Sequence, residues 1–397
     1  RRAVPALINA LSVKALREPV LKALGRLSAP ETLGHVVPFL MDASKSMQEE
    51  AVKTIELFYH NRVTADFICD SILRICGQDI TKRLISLAWS KKPDVRAAAI
   101  LILGIMRDEE TFMPLLELSE DENFTDEVRR ALIFIGKSKP AALKALFETD
   151  NITHKRFVAE VAAQVASPSY YALFEALTTD SDGHLRSLAA AGLSNIGEKK
   201  AVRPLMKLFS DPYEDVQEAA VKALGNFREH LSTGEIISYL KDKNPDIRKN
   251  AVLLLGRIGA DNTVDAIGFA LKDEAVSVRE AVVSALSSIK TDESIRYLTV
   301  ALTDEDPFIR ASAALSLGAI GICGEKTSES LVLLLSDTDD SVRVAAVRAL
   351  GMTGDTKAMR HLINMLKDTN GFVVTTSLEA LSKLGGSEAR EAITKMI

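Results

Sequence analysis

Between Asp182 and Leu384, apolar residues recur at three- and four-residue spacing, in runs broken by short polar turns. The run Glu214–Asn226 shows the rule: Val216, Ala219, Ala220, Ala223 and Leu224 form one stripe, the signature of an amphipathic helix. A second run, Lys200–Phe209, precedes it across the turn Ser210-Asp211-Pro212-Tyr213. The pattern predicts helix pairs, a first helix A and a second helix B. Further B helices are expected at Pro245–Ile258, Ala275–Ile289, Pro307–Ile320, Asp340–Met352 and Gly371–Leu384. The residue after the first aliphatic of each B helix is Arg186, Gln217, Arg248, Arg279 and Arg310, each 31 residues from the last. A fixed period of that length marks a repeat architecture.

Local chemistry agrees with the pairing. Pro93, Pro212, Pro245 and Pro307 stand at the entrances of B helices, where a missing N–H costs nothing. Pro5, Pro38, Pro114 and Pro204 fall inside or early in A helices, so these are expected to be bent. Gly225, near the end of its B helix, permits close packing or chain reversal. The array is expected to run through 1–397: N-terminal repeats over 1–60, an irregular insertion over 61–92 with an extra helix at Asp66–Ile75, then regular repeats over 93–397. The last A helix, Glu388–Met396, lacks a B partner and reads as a cap or a truncation, and the start at Arg1-Arg2 in mid-pattern reads as an excised segment of a larger chain or complex.

Composition narrows the interior. Hydrophobic residues make up 47% of the 397 and aromatics 5%, so Ala, Leu, Val and Ile must fill the space between closely set helices. Net charge is −5, which argues against general affinity for nucleic acid or anionic membranes. The charge is uneven: Asp108–Glu127 gathers Glu109, Glu110, Glu117, Glu120, Asp121 and Glu122 with no Lys or Arg among them. A solvated loop set is the plain reading, and a dock for a basic partner the sharper one. Cys69, Cys76 and Cys323 make no disulfide framework, which predicts reduced thiols and a cytoplasmic setting. No apolar run reaches the length of a membrane span.

Helical pairs of this length, with Pro in the first helix and Asp…Val-Arg…Ala-Leu-Gly in the second, resemble HEAT repeats. The 31-residue form is similar to the short HEAT-like repeats named after phycobilisome lyases. The resemblance implies an all-α, right-handed α-solenoid, a superhelix of about twelve helical pairs. It also implies a ladder of turn acids and B-helix bases between neighbours, here Asp94, Asp182, Asp246, Asp306 and Asp340 with Arg96, Arg186, Arg248, Arg279, Arg310 and Arg343. Gln48, Gln217 and, in the last unit, Val374-Thr375 depart from the Arg, so the ladder is expected to break there.

A catalytic site should stand out as a deviation from the repeat. The six histidines are scattered, without the repeated His-Glu pairs that hold iron in the HEAT-like deoxyhypusine hydroxylases. In Gly318–Thr327, Glu325 separates Gly324 from Lys326, which breaks a phosphate-loop pattern. No cofactor, metal or catalytic residue is therefore assigned. In the family the B helices line the concave side, so positions one and five after the reference residue should project there: Glu218/Lys222, Lys249/Leu253, Glu280/Ser284, Ala311/Leu315, Val344/Arg348 and Thr375/Glu379. The mixture lacks the basic stripe and stacking aromatics of a nucleic-acid groove. The expected function is a non-catalytic scaffold or adaptor binding a protein or peptide on that face. Candidate contacts are Lys249, Glu280, Arg348, the acids Glu109, Glu110, Glu120, Asp121 and Glu122, and Trp89, the single tryptophan. The competing class implied by the family name is a bilin lyase or chaperone, with nucleic-acid binding behind it.

Overall fold

A computed structural model describes residues 3–259, 263–321 and 324–395. Cys323 and the helix ends expected at Asn262 and Met396 lie outside them. Among the described residues every element is a helix and none is a strand. Contacts cluster into two compact units, Arg1–Glu198 and Lys199–Ile397. Each is a stack of antiparallel A–B pairs, and the fold is an α-solenoid of HEAT-like repeats.

The B helices are long and regular, at Lys45–His60, Pro93–Met106 and Thr125–Ser138 in the first unit. In the second they are Glu214–Gly225, Pro245–Ile258, Val276–Ile289, Pro307–Ile320, Asp340–Thr353 and Gly371–Leu384. Their starts are built by side-chain caps: Asn244, Asp306, Asp339 and Asn370 accept from backbone N–H groups of the first turn, satisfying donors a helix start leaves free. A helices are shorter and segmented. The run expected as Lys200–Phe209 is a 3-10 turn, Lys199–Ala201, then Val202–Lys207, then another 3-10 turn, Leu208–Ser210. Pro204 lies in the middle segment, where its missing N–H weakens the ladder that a longer α-helix would need.

Within each unit consecutive B helices pack directly on one another, and glycine sets how closely. A Cβ on Gly318 would stand 2.7 Å from Ala349 Cα, and one on Gly351 would stand 2.7 Å from Ala380 Cβ. Gly318 and Gly351 are thus contact residues, whereas Gly225 meets only the Arg257 side chain, and chain reversal falls to Gly197, Gly259, Gly321 and Gly354, all at positive φ. In the first unit the extra helix Ala65–Cys76 packs on the A-layer segment Val37–Met41, while Lys45–His60 and Pro93–Met106 still meet as neighbouring B helices. The insertion therefore leaves the B layer continuous. Cys69 and Cys76 both sit on this helix, half-buried, and burial pushes both thiols above their usual pKa.

Candidate functional site

The signature arginines are built into the repeat boundaries. Arg248 donates from Nε and Nη2 to Asp273 at 2.7 and 2.8 Å, and from Nη1 to the carbonyl of Asp242 at 2.8 Å. The pattern then repeats without a gap. Arg279 holds Asp304 and the Asp273 carbonyl, Arg310 holds Asp337 and the Asp304 carbonyl, and Arg343 holds Asp368 and the Asp337 carbonyl. In the first unit Arg96 reaches Asp121 at 2.7 Å. Arg248, Arg279, Arg310 and Arg343 thus each clamp their own A–B turn to the turn of the next repeat.

The acids differ from those expected. Asp306 caps its helix through the Phe308 N–H, Asp246 and Asp340 stand in the first helical turn, and Asp94 pairs with Lys53. Asp182 caps its helix and takes Arg156 rather than Arg186, whose Nη1 donates to the Asp180 carbonyl. The carboxylate that meets each arginine belongs to the aspartate closing the next A helix, which the turn between the two leaves facing the neighbour.

Electrostatics follow the geometry. The Arg343 hydrogen bonds hold the Asp368 carboxyl below its usual pKa against the opposing effect of burial. At Asp273 burial is the largest influence and pushes upward, but Arg248 and the Ala275 N–H together outweigh it and the net shift is down. Where Gln217 replaces arginine, its Nε2 donates to the Asp211 carbonyl at 2.7 Å and its Oε1 accepts from the buried Asn250 at 3.0 Å. A neutral network stands in for the ion pair there.

The acidic stretch divides. Asp121 is taken by Arg96 and Glu120 by His154 Nε2 at 2.9 Å. Glu109 and Glu110 open the A helix Phe112–Leu118, while Glu122 lies in the turn beyond its far end. The seven-residue helix between the two groups, about 10 Å of rise, carries the exposed Glu117. Trp89 ends the helix Ile80–Ala88, half-exposed, with the Arg96 guanidinium 5.7 Å from its ring and 4.2 Å from that of Phe124.

Clefts open on both layers, one of about 670 Å³ between A helices beside Glu329 and His361, and two on the B layer are lined at positions one and five after the reference residue. In the second unit Glu218, Lys249, Leu253, Glu280 and Ser284 line a cleft of about 380 Å³, with Lys249 Nζ 3.0 Å from Glu214. Arg348 is exposed on a later B helix. In the first unit Ala97, Leu101, Arg130 and Phe134 occupy the same positions around a pocket of about 440 Å³, joined by Glu56 and Tyr59. Neither Glu56 nor Phe134 stands out in the sequence. Reading those two positions in the first unit as well would have found Leu101 and Phe134. A wider cleft of about 950 Å³ opens between A helices beside Lys199, Arg203 and Lys207, but all its charged side chains are exposed. Among the described residues no group of three or more His, Cys, Asp or Glu side chains is placed to hold a metal ion, and no helix is long and apolar enough to cross a membrane.

These features define a class. The model of a family described as HEAT repeats matches residues 140–225, 235–318, 265–334 and 328–397, and that of the PBS lyase HEAT-like repeat matches 95–121. The chain belongs to the HEAT-repeat family. Its fold is similar to that of karyopherins. Kap121p bound to Ste12p has a TM-score of 0.58 at 14% identity, covering 100% of this chain and 54% of that one. Kap95p in the structure describing its effect on RanGDP has a TM-score of 0.55 at 13% identity, covering 92% and 58%. Yeast importin-beta, Kap95p, has a TM-score of 0.50 at 13% identity, covering 92% and 65%. The chain thus spans less than two thirds of the length of these structures. A comparison with curated protein sequences gives no significant match.

Proposed function

We propose that this chain is a non-catalytic scaffold that grips a partner protein or peptide along the concave face of its B helices. One observation carries the reading. The repeated charges are consumed in repeat-to-repeat clamps, while the positions that vary between repeats, such as Lys249, Glu280, Leu101 and Phe134, line the B-face clefts. A surface that is constant where it stacks and variable where it is hollow suits recognition of a specific partner. The karyopherin fold supports it, since Kap121p is seen bound to Nup53p and to the C-terminus of Cdc14p.

The test is affinity capture from the native host with two charge-reversed variants. Lys249→Glu with Glu280→Lys alters the B face, and Lys326→Glu with Glu329→Lys alters the A layer. Loss of partners from the first alone is expected. Loss from the second alone would overturn the assignment of the face.

A further inference from the structure

The pocket of the first unit has a chemistry of its own. Glu56, Tyr59 and His60 lie three and four residues apart on the helix Lys45–His60, so they share a face. Across the pocket stands Phe134, from the helix Thr125–Ser138, with its ring 6.5 Å from that of Tyr59 at 75°. His60 adds a third ring, 5.8 Å from Tyr59 at 63°. Small and aliphatic side chains, Ala97, Leu101 and Ala131, complete the lining. The charged groups lining this space are two carboxylates, Glu56 and Glu127, and one guanidinium, Arg130, so the acids are in excess. Glu127 is held by Arg130 at 2.8 Å. Glu56 has His60 3.6 Å away, an ion pair only when the imidazole is protonated. Burial raises the Glu56 pKa, against the opposing pull of His60, as expected of a carboxylate short of compensation.

We propose that this pocket receives one arginine side chain of the partner segment, with the guanidinium against the Tyr59 ring and hydrogen-bonded to Glu56. The inference rests on the scaffold function proposed above and names the group that function would grip here. An acidic side chain would meet Glu56 and Glu127, and an apolar one would leave Glu56 desolvated and unpaired. A guanidinium is flat, weakly hydrated and able to stack and pair at once. The protein uses the same arrangement internally: Arg107 lies 4.9 Å from the Phe134 ring centre while paired with Asp66, and Arg129 lies 5.4 Å from that of Phe157.

The test titrates the full chain, methyl-labelled for NMR, with N-acetylarginine methylamide and separately with the neutral N-acetylnorleucine methylamide. The arginine probe is expected to shift the Ala97, Leu101, Ala131 and Ile133 methyls with about tenfold tighter binding than the neutral one. The near-isosteric Glu56→Gln should remove most of that preference, and Tyr59→Leu should weaken the arginine probe while leaving the melting curve in place. Equal binding of both probes, or a preference untouched by Glu56→Gln, overturns the proposal. A photo-crosslinking group at Ser284 on the other unit's B face keeps the two readings apart. Partner crosslinks there without arginine preference sink the pocket alone, and their absence counts against the scaffold itself.

Discussion

Arg279 and Asp304 meet across a repeat boundary, Nε to Oδ2 at 2.9 Å and Nη2 to Oδ1 at 3.1 Å, with 4% and 7% of their side chains exposed. Removing one partner strands a buried charge. Arg279→Ala is expected to cost about 3–5 kcal/mol, read as a drop in the denaturant midpoint. Replacing both residues by apolar ones of similar size should cost far less, because neither charge then remains to be desolvated.

The same pairs fix an acid sensitivity. Asp273, Asp337 and Asp368 titrate below their ordinary value of 3.8 when folded. Above that value the carboxylates are ionised in both states and the pairs contribute in full. As pH falls through it, the unfolded chain takes up protons first, so the contribution is lost as pH approaches the lower folded values. Denaturant melts are expected to show stability declining below about pH 4, with a smaller decline in Asp368→Asn, which has one such carboxyl fewer.

Glycines near the ends of B helices should separate by contact. Gly318→Ala puts a methyl 2.7 Å from Ala349 Cα and is expected to destabilise by about 1–3 kcal/mol. Gly225 faces only the Arg257 side chain, at 3.6 Å. Gly225→Ala should instead stabilise by about 0.5–1 kcal/mol, through lost freedom of the unfolded chain. Thermal melts of the two variants give opposite signs.

The neutral network at Gln217 gives a test of coupling. Asn250→Ala leaves the Phe209 carbonyl and Gln217 Oε1 without their donor, at about 1–3 kcal/mol. Adding Gln217→Arg should recover part of that by offering Asp242 the guanidinium that its counterparts possess. A double-mutant cycle is expected to give a coupling of about 1 kcal/mol; strict additivity would refute the exchange.

Much of this fold is legible in the sequence because the repeat states it many times over. B-helix starts such as Pro245 and Pro307, and the arginine at each boundary, follow from period and cap chemistry. The ladder acids do not, because each turn holds several aspartates, as at Asp304/Asp306 and Asp337/Asp339/Asp340. Period alone cannot say which carboxylate caps its own helix and which faces the neighbour. The acidic stretch is legible only in part: adjacency in sequence does not show that Arg96 and His154 take Asp121 and Glu120. The pocket at Tyr59 and Phe134 is harder still, since its walls come from helices joined only through the stacking of the B layer.

The central claim is that the B layer binds and the A layer does not. Photo-crosslinking residues placed singly at Ile133 and Ser284 on the B face, and at Met113 and Leu333 on the A layer, test it in the native host. Partner adducts from Ile133 and Ser284, with none from Met113 and Leu333, are the predicted result. Adducts from Met113 and Leu333 alone would contradict it.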